Sequence, residues 1–192
     1  FNDASDLQKY PRTFEQDLAM LNAEGVDYLL YPSPEEMYRD NYRYRLTENE
    51  LSRQLCGAHR PGHFDGVLTV VMKLLNIASA DRAYFGEKDF QQLALIRGMC
   101  KALDWPVSIL AAKTMREDDG LAMSSRNAYL NADERRIAAR LNLVLHEAIK
   151  AVHHGAAIAN AEAEASRHLM AAGFSSIDYV AIRDAASLEP IA

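Results

Sequence analysis

Between Val67 and Ala111 the sequence switches twice between a helical and an extended apolar pattern, with only short connections. Val67, Val70, Val71, Leu74 and Ile77 fall on one face of a helix. Arg82 to Phe85 is a short strand-like run closed by Gly86. A second helix is predicted from about Phe90, with Leu93, Ile96, Cys100 and Leu103 inward, and Val107 to Ala111 is a further strand. Helix, strand, helix, strand in this order implies an α/β fold whose strands are parallel and joined by right-handed crossovers. Ligands of such sheets bind beyond the carboxyl ends of the strands. That rule selects two segments: Gly86-Glu87-Lys88-Asp89, and the residues after Ala111.

The flanks carry weaker signals. Tyr10-Pro11-Arg12 leads into a helix, where Thr13 and Gln16 have capping-box spacing and Gly25 supplies the stop. Val26 to Tyr31 reads as a buried strand, and Ser33-Pro34-Glu35-Glu36 as a second helix start with Pro34 in the first turn. Residues 39–56 are polar and irregular. Farther on, Asn131 and Glu134 are placed to cap a long helix with the stripe Ile137, Leu141, Val144, Leu145 and Ala148. Gly155 ends it, an alanine-rich helix follows from about Ala157 to Ala172, and Gly173 ends that. Ser176 to Ile182 is predicted as a strand, with Ile177, Tyr179 and Ala181 alternating against Asp178, Val180 and Ile182. One strand cannot satisfy its own edges, so its partners are expected outside this sequence.

Composition narrows the function classes. Of 192 residues 49% are hydrophobic and 25% charged, enough apolar matter for one domain or two small ones. A net charge of −6 removes the bulk basic footprint expected for nucleic acid or anionic lipid, while leaving room for a local cationic pocket. The longest mostly apolar stretch, Val67 to Ala80, contains Lys73 and is too short to span a bilayer. Cys56 and Cys100 form no C-x-x-C pair, a pattern that fits a reduced cytoplasmic protein. The chain opens on Phe1 rather than Met, so either upstream residues or a processing event is expected.

Three segments hold chemistry-bearing residues. Phe85-Gly86-Glu87-Lys88-Asp89-Phe90-Gln91-Gln92 places a glycine, a lysine, acids and amides in a strand-to-helix turn. Gly86 lets backbone approach a ligand, the helix start favours an anion, and Lys88 adds a point charge for phosphate. Asp89 offers acceptors to ribose hydroxyls, and Gln92, one turn into the helix, offers donor and acceptor to a polar acid; the alternative is a solvated, capped turn. Met115 to Arg126 follows an acidic, glycine-containing stretch with Met123-Ser124-Ser125-Arg126, two hydroxyls beside an arginine, which suits nucleotide phosphates or an ordinary polar loop. Glu117, Asp118 and Asp119 repel one another, so this run is expected to order only on nucleotide binding. In Arg60-Pro61-Gly62-His63-Phe64, His63 either hydrogen-bonds backbone at a helix start or contacts a ligand. His59, His146 and His168 have no zinc-ligand spacing, and His153-His154 sits at a helix end, so no structural metal site is expected.

In their order along the chain these pieces resemble the pantoate–β-alanine ligases of the nucleotidyltransferase-like superfamily. The resemblance runs through Tyr10-Pro11-Arg12-Thr13, Arg60 to Phe64, Gly66-Val67 with Thr69-Val70, Phe85 through Leu93, Gly120 through Asn127, and Ile182-Arg183-Asp184. It implies a Rossmann-like parallel-sheet domain over residues 1–113, partial at its N-terminus, and a smaller α+β lid domain over 114–192. It further implies ATP as a substrate, Mg²⁺ to help neutralise the polyphosphate, pantoate and β-alanine as the other small molecules, and a homodimer, with no nucleic-acid or membrane partner.

The resemblance also assigns roles. Lys88, Ser124 and Ser125 would hold the ATP phosphates with Arg126 assisting, Gly86 and Asp89 would hold ribose, and Met115 and Met123 would flank adenine. Gln92 would bind pantoate, Tyr10 would sit on a flap near it, and Arg60 and His63 are further substrate-binding candidates. The family's H-x-G-H motif and its upstream asparagine- and glutamine-bearing stretch are not found in these residues, nor are its last lid strands. Cys56 stands where an acid is expected and Lys113 where proline is usual. Activity is therefore assigned to the parent protein, the chain alone being expected not to turn over. Another nucleotidyl-transferring enzyme of the superfamily, or a non-catalytic ligand-binding or assembly module, remain the alternatives.

Overall fold

A computed structural model describes residues 7–8 and 10–191; Phe1, the subject of the N-terminal expectation, lies outside them. The main helices are α1 (Phe14–Ala23), α2 (Pro34–Met37), α3 (Cys56–His59), α4 (His63–Ala78), α5 (Phe90–Ala102), α6 (Ala132–His153) and α7 (Ile158–Ala172). Two strands, β1 (Arg82–Gly86) and β2 (Ser108–Ala112), pair in parallel with Arg82 opposite Ser108 and Gly86 opposite Ala112. The expected α4–β1–α5–β2 order is therefore present, and its parallel sheet confirms the α/β reading. The register brings the carboxyl ends of both strands side by side.

The links are short because local chemistry ends each helix sharply. Ser79 closes α4 in the left-handed region at φ 49°, three residues before β1. After α5, Asp104 takes φ 51° and the Trp105 N–H returns to the Cys100 carbonyl at 2.8 Å, turning the chain toward β2. Phe64, Leu68 and Leu75 of α4 meet Leu95, Ile96, Met99 and Cys100 of α5, and Ala83, Phe85 and Ile109 of the strands pack on that cluster. Leu68, Leu93 and Ile96 are fully buried, each stabilising the fold by about 1.5–3 kcal/mol in area terms.

This seam is rotated from the expected one. Val67 and Val71 only flank it, Val70 and Leu74 are half-buried, and Ile77 is exposed, as is Leu103 just past α5. The reason is that Phe64 and Leu68 lie one step round from the valines and fill the space above α5. A branched apolar residue signals hydrophobicity without saying which neighbour covers it.

The second cluster is a helical hairpin. Asn131 accepts hydrogen bonds from the N–H groups of Asp133 and Glu134, and the Glu134 carboxylate accepts from the Asn131 N–H, completing the predicted capping box. Gly155 at φ 94° lies in the turn, and α7 packs back on α6 through Val144, Ala148, Ala161, Ala165 and Leu169. Three of these five are alanines, so the axes approach closely. Leu141 and Leu145, expected in the core stripe, are instead 38% exposed because small residues four apart define the seam.

Three other expectations change. Thr13 precedes α1, but its hydroxyl donates to Asp17 rather than capping the backbone. Val26 to Tyr31 is neither strand nor buried, with Tyr28 91% exposed. Among the described residues it has no sheet neighbour to cover its side chains. Ser176 to Ile182 is likewise not a strand. Here the Glu162 carboxylate accepts from the Ile182 N–H at 2.6 Å, replacing a ladder bond, while Ile177, Val180 and Ile182 pack on the hairpin.

Candidate active site

The turn after β1 is the centre of the site. Gly86 leaves the strand with extended backbone (φ −72°, ψ 136°), Glu87–Asp89 forms one 3-10 turn, and α5 begins at Phe90. A Cβ on Gly86 would meet nothing within 4 Å, so the chain's own packing does not demand a glycine there. The two amides that follow have separate duties. Gln91 is buried; its side-chain oxygen accepts from the Cys56 N–H at 3.1 Å, and its nitrogen donates to the Leu51 and Gln54 carbonyls at 2.8 Å. It pins the polar 51–56 segment to α5. Sequence reasoning passed over Gln91, whose burial is a tertiary fact. Gln92 is then turned toward the cavity that the turn borders.

That cavity, about 540 Å³, brings together Arg60, His63, Lys88, Asp89 and Gln92, five of the residues singled out from sequence. Its opposite wall is built from residues that the sequence reading named without giving them a site role, Tyr179, Ala181 and Arg183 of the segment after α7. The signal was a period of two: Val180 and Ile182 face the hairpin while the odd-numbered neighbours face the cavity. Tyr179 stacks on His59, ring centroids 5.5 Å apart at 20°, and burial raises its pKa. A larger hollow of about 810 Å³ lies between α4 and residues 36–46, but no residue of the strand ends lines it. Volume there does not mark chemistry.

Charge in the cavity opposes that of the chain. Arg60, Lys88 and Arg183 face a single carboxylate, Asp89, which sits 3.6 Å from Lys88 in an exposed pair. His63 adds no charge at neutral pH. Burial, and then the neighbouring Arg60 guanidinium, lower its pKa to about 4. Arg60 Nη1 lies 3.2 Å from His63 Nε2; because guanidinium can only donate, Nε2 is the acceptor and the ring proton sits on Nδ1. Gly62, at φ 75°, makes the turn that places the two side chains together.

The second predicted segment has the backbone of a short hairpin. Arg116 and Ala122 form an antiparallel bridge, the Met123 N–H donates to the Met115 carbonyl at 2.9 Å, and the Glu117 N–H to Leu121 at 2.8 Å. Asp119 does not merely repel its neighbours. Arg135 of α6 donates to both of its carboxylate oxygens, at 2.5 and 3.1 Å, and this bond is the main cause of its lowered pKa. The expected mutual repulsion of Glu117, Asp118 and Asp119 is thus offset at Asp119 by an ion pair to α6.

Beyond the hairpin, Ser124 caps a 3-10 turn over Ser125–Tyr129 by accepting from the Arg126 N–H at 3.3 Å. The Ser125 hydroxyl donates to Tyr10 Oη at 3.1 Å, and the Arg126 guanidinium lies 5.2 Å from the centre of the Tyr10 ring. Tyr10, Ser124, Ser125 and Arg126 thus form a cluster outside the lining of the cavity, with the Arg126 charge contributing slightly to the lowered pKa of His63. Met115 and Met123 are side by side and exposed, outside the cavity lining with Gly86, Ser124 and Ser125.

Residues 1–192 match the sequence model of the family described as Pantoate-beta-alanine ligase. The chain belongs to that family. The pantothenate synthetase of Bdellovibrio bacteriovorus is 50% identical over 180 residues, covering 94% of this chain and 67% of that protein. That of Novosphingobium aromaticivorans is 48% identical over 195 residues, covering 100% and 68%. The crystal structure of the Thermus thermophilus pantothenate synthetase superposes with a TM-score of 0.92 at 41% identity, over 100% of this chain and 70% of that one. A Francisella tularensis pantoate-beta-alanine ligase, crystallised with β,γ-ATP and β-alanine, gives 0.79 at 34% identity, over 90% and 63%. The chain thus spans about two thirds of the length of the relatives it matches. It is a ligase sequence of the class that forms pantothenate from pantoate and β-alanine at the expense of ATP.

Proposed function

We propose that the cavity at the carboxyl end of β1 runs this ligation in two steps through a pantoyl-adenylate. In the first, a pantoate carboxylate oxygen attacks the α-phosphorus of ATP; the bond to the bridging oxygen breaks and pyrophosphate departs with the electron pair. In the second, the neutral amine of β-alanine attacks the acyl carbon. The carbon–nitrogen bond forms, AMP leaves with the acyl oxygen's bonding pair, and the amine releases its proton.

Lys88, Ser124, Ser125 and Arg126 hold phosphates, Gly86 and Asp89 the ribose, and Met115 and Met123 the adenine faces. Gln92 binds pantoate, Tyr10 closes over it, and Arg60 with His63 completes the substrate wall. Catalysis on this reading is positioning and charge compensation, with no covalent enzyme intermediate. Mg²⁺ enters as part of the nucleotide. Among the described residues no group of three or more His, Cys, Asp or Glu side chains is placed to hold a metal ion, and Asp89 is the one carboxylate of the cavity wall, so the ion would be held chiefly by the nucleotide phosphates. We read the parent protein as a cytoplasmic homodimer with a nucleotide-binding domain over 1–113 and a lid over 114–192. The homodimer rests on the family resemblance alone. No helix of the described residues is long and apolar enough to cross a membrane.

The observation that carries the reading is the convergence of Arg60, His63, Lys88, Asp89 and Gln92 on one cationic cavity. Pantoate-dependent ATP–pyrophosphate exchange by the full protein tests it. Lys88→Ala should slow exchange about 100-fold or more, the scale of losing one preorganised charge at a developing phosphate oxyanion. Its melting temperature should barely move, since its partner Asp89 is exposed. Near-normal exchange by this variant would reject the assignment.

A further inference from the structure

Arg183 is the cation in this cavity that neither the fold nor the proposed nucleotide contacts use. It arrives from the segment after α7, far in sequence from the strand ends, and lines the same wall as Tyr179. Its Nε is fully buried and finds no hydrogen-bond partner among the described residues. A guanidinium donor left so is costly unless a ligand supplies the acceptor. The neighbouring segment is held independently: Glu162 anchors Ile182, and the Asp184 carboxylate accepts from the Ala186 and Ser187 N–H groups at 3.0 and 2.8 Å. The arginine is therefore presented by a braced backbone.

We infer that Arg183 is the site's carboxylate-binding residue for β-alanine. This rests on the function proposed above, and the reaction chemistry selects the acid. The pantoate carboxylate must be free to attack phosphorus, and it loses its charge on becoming an acyl phosphate ester. A fixed guanidinium paired to it would stabilise the ground state and oppose the first step. The β-alanine carboxylate stays ionised through both steps. A permanent, partly buried guanidinium suits it, because arginine pairs with carboxylate through parallel hydrogen bonds in a fixed geometry. Of the other cations in the wall, Lys88 is paired with Asp89 and placed at the phosphates, and Arg60 donates to His63.

The test measures KM and kcat for each substrate in the full protein, comparing the unsubstituted form with Arg183→Ala and Arg183→Lys. It also includes 3-aminopropanamide, the uncharged amide of β-alanine, as an alternative amine. Arg183→Ala should raise KM for β-alanine about tenfold or more relative to KM for pantoate and ATP. Lysine should recover only part of the loss. The unsubstituted protein should prefer β-alanine over the amide by a similar factor, and Arg183→Ala should erase that preference. A KM rise shared by all three substrates, or an unsubstituted protein that uses the amide as well as β-alanine, would overturn the assignment. The amide comparison needs no variant and so decides the matter even where Arg183→Ala fails to fold. If the unsubstituted protein forms no pantoyl-adenylate, the function reading itself fails, a result distinguishable from loss of amine selectivity alone.

Discussion

His63 shows how one buried turn fixes a protonation state. Its ring accepts from Arg60 and is partly buried, so the folded protein holds it neutral down to about pH 4, whereas the unfolded chain protonates near 6.5. Between those values the unfolded state binds the extra proton, and acidification therefore destabilises the fold through this residue. Below about pH 4 both states are protonated and the contribution no longer changes. Nuclear magnetic resonance titration should give His63 a midpoint well below 6.5, at about 4. The His63→Gln variant should lose less stability than the unsubstituted protein between pH 6.5 and 4. A His63 midpoint near 6.5 would contradict the assigned contact. Gln91 makes the complementary point: of two adjacent amides of equal chemistry at the cavity, one is spent on bracing the 51–56 segment while the other, a single residue step of about 100° round the helix, is not.

At the scale of elements, the hairpin from Met115 to Met123 is the part whose behaviour the ion pair to α6 governs. Asp119 is clamped by Arg135, and Gly120 sits at φ 88° with space for a Cβ closed by Asn142, 2.8 Å away. Both features hold the loop in place against its own acidic repulsion. Arg135→Ala should raise hydrogen exchange of residues 117–121 about tenfold or more while leaving α5 unchanged, since these bonds are local and α5 packs on another cluster. Unchanged exchange in the loop would show that backbone bonds alone suffice. An ATP analogue should then add protection chiefly at 123–126, beyond the clamp, where Ser125 and Arg126 meet Tyr10.

For the molecule as a whole, the cavity has one wall from each of the two core clusters. The strand-end turn belongs to the cluster of α4 and α5, and Tyr179 to Arg183 belong to the segment that packs on the α6–α7 hairpin. The Tyr179–His59 stack is a visible tie between them. Tyr179→Ala should therefore raise hydrogen exchange in two separate stretches at once, 56–59 and 177–183. A rise confined to one stretch would mean that the stack does not hold the walls together. The thermal midpoint should fall by only a few degrees, an aromatic pair being worth about 0.5–1.5 kcal/mol beyond its buried area.

Much of this was readable from residues alone. The boundaries of α5, α6 and α7 follow from apolar period, the Asn131–Glu134 capping box and the glycines at 155 and 173, because each is set by contacts within a few residues, while β1 and β2 were legible as short apolar runs between those helices. The strand-end turn announced itself by concentrating Gly86, Lys88, Asp89 and Gln92, and its position beyond a parallel strand followed from the order of elements. The tertiary structure decided the rest. Whether Val26 to Tyr31 and Ser176 to Ile182 became strands depended on neighbours, since a strand takes its hydrogen bonds from another segment and a helix from itself. Which face of α4 or α6 was inward depended on the shape of the element opposite. The burial of His63 and the unmatched Nε donor of Arg183 depend on which distant segments close over one cavity, and no local pattern carries that information.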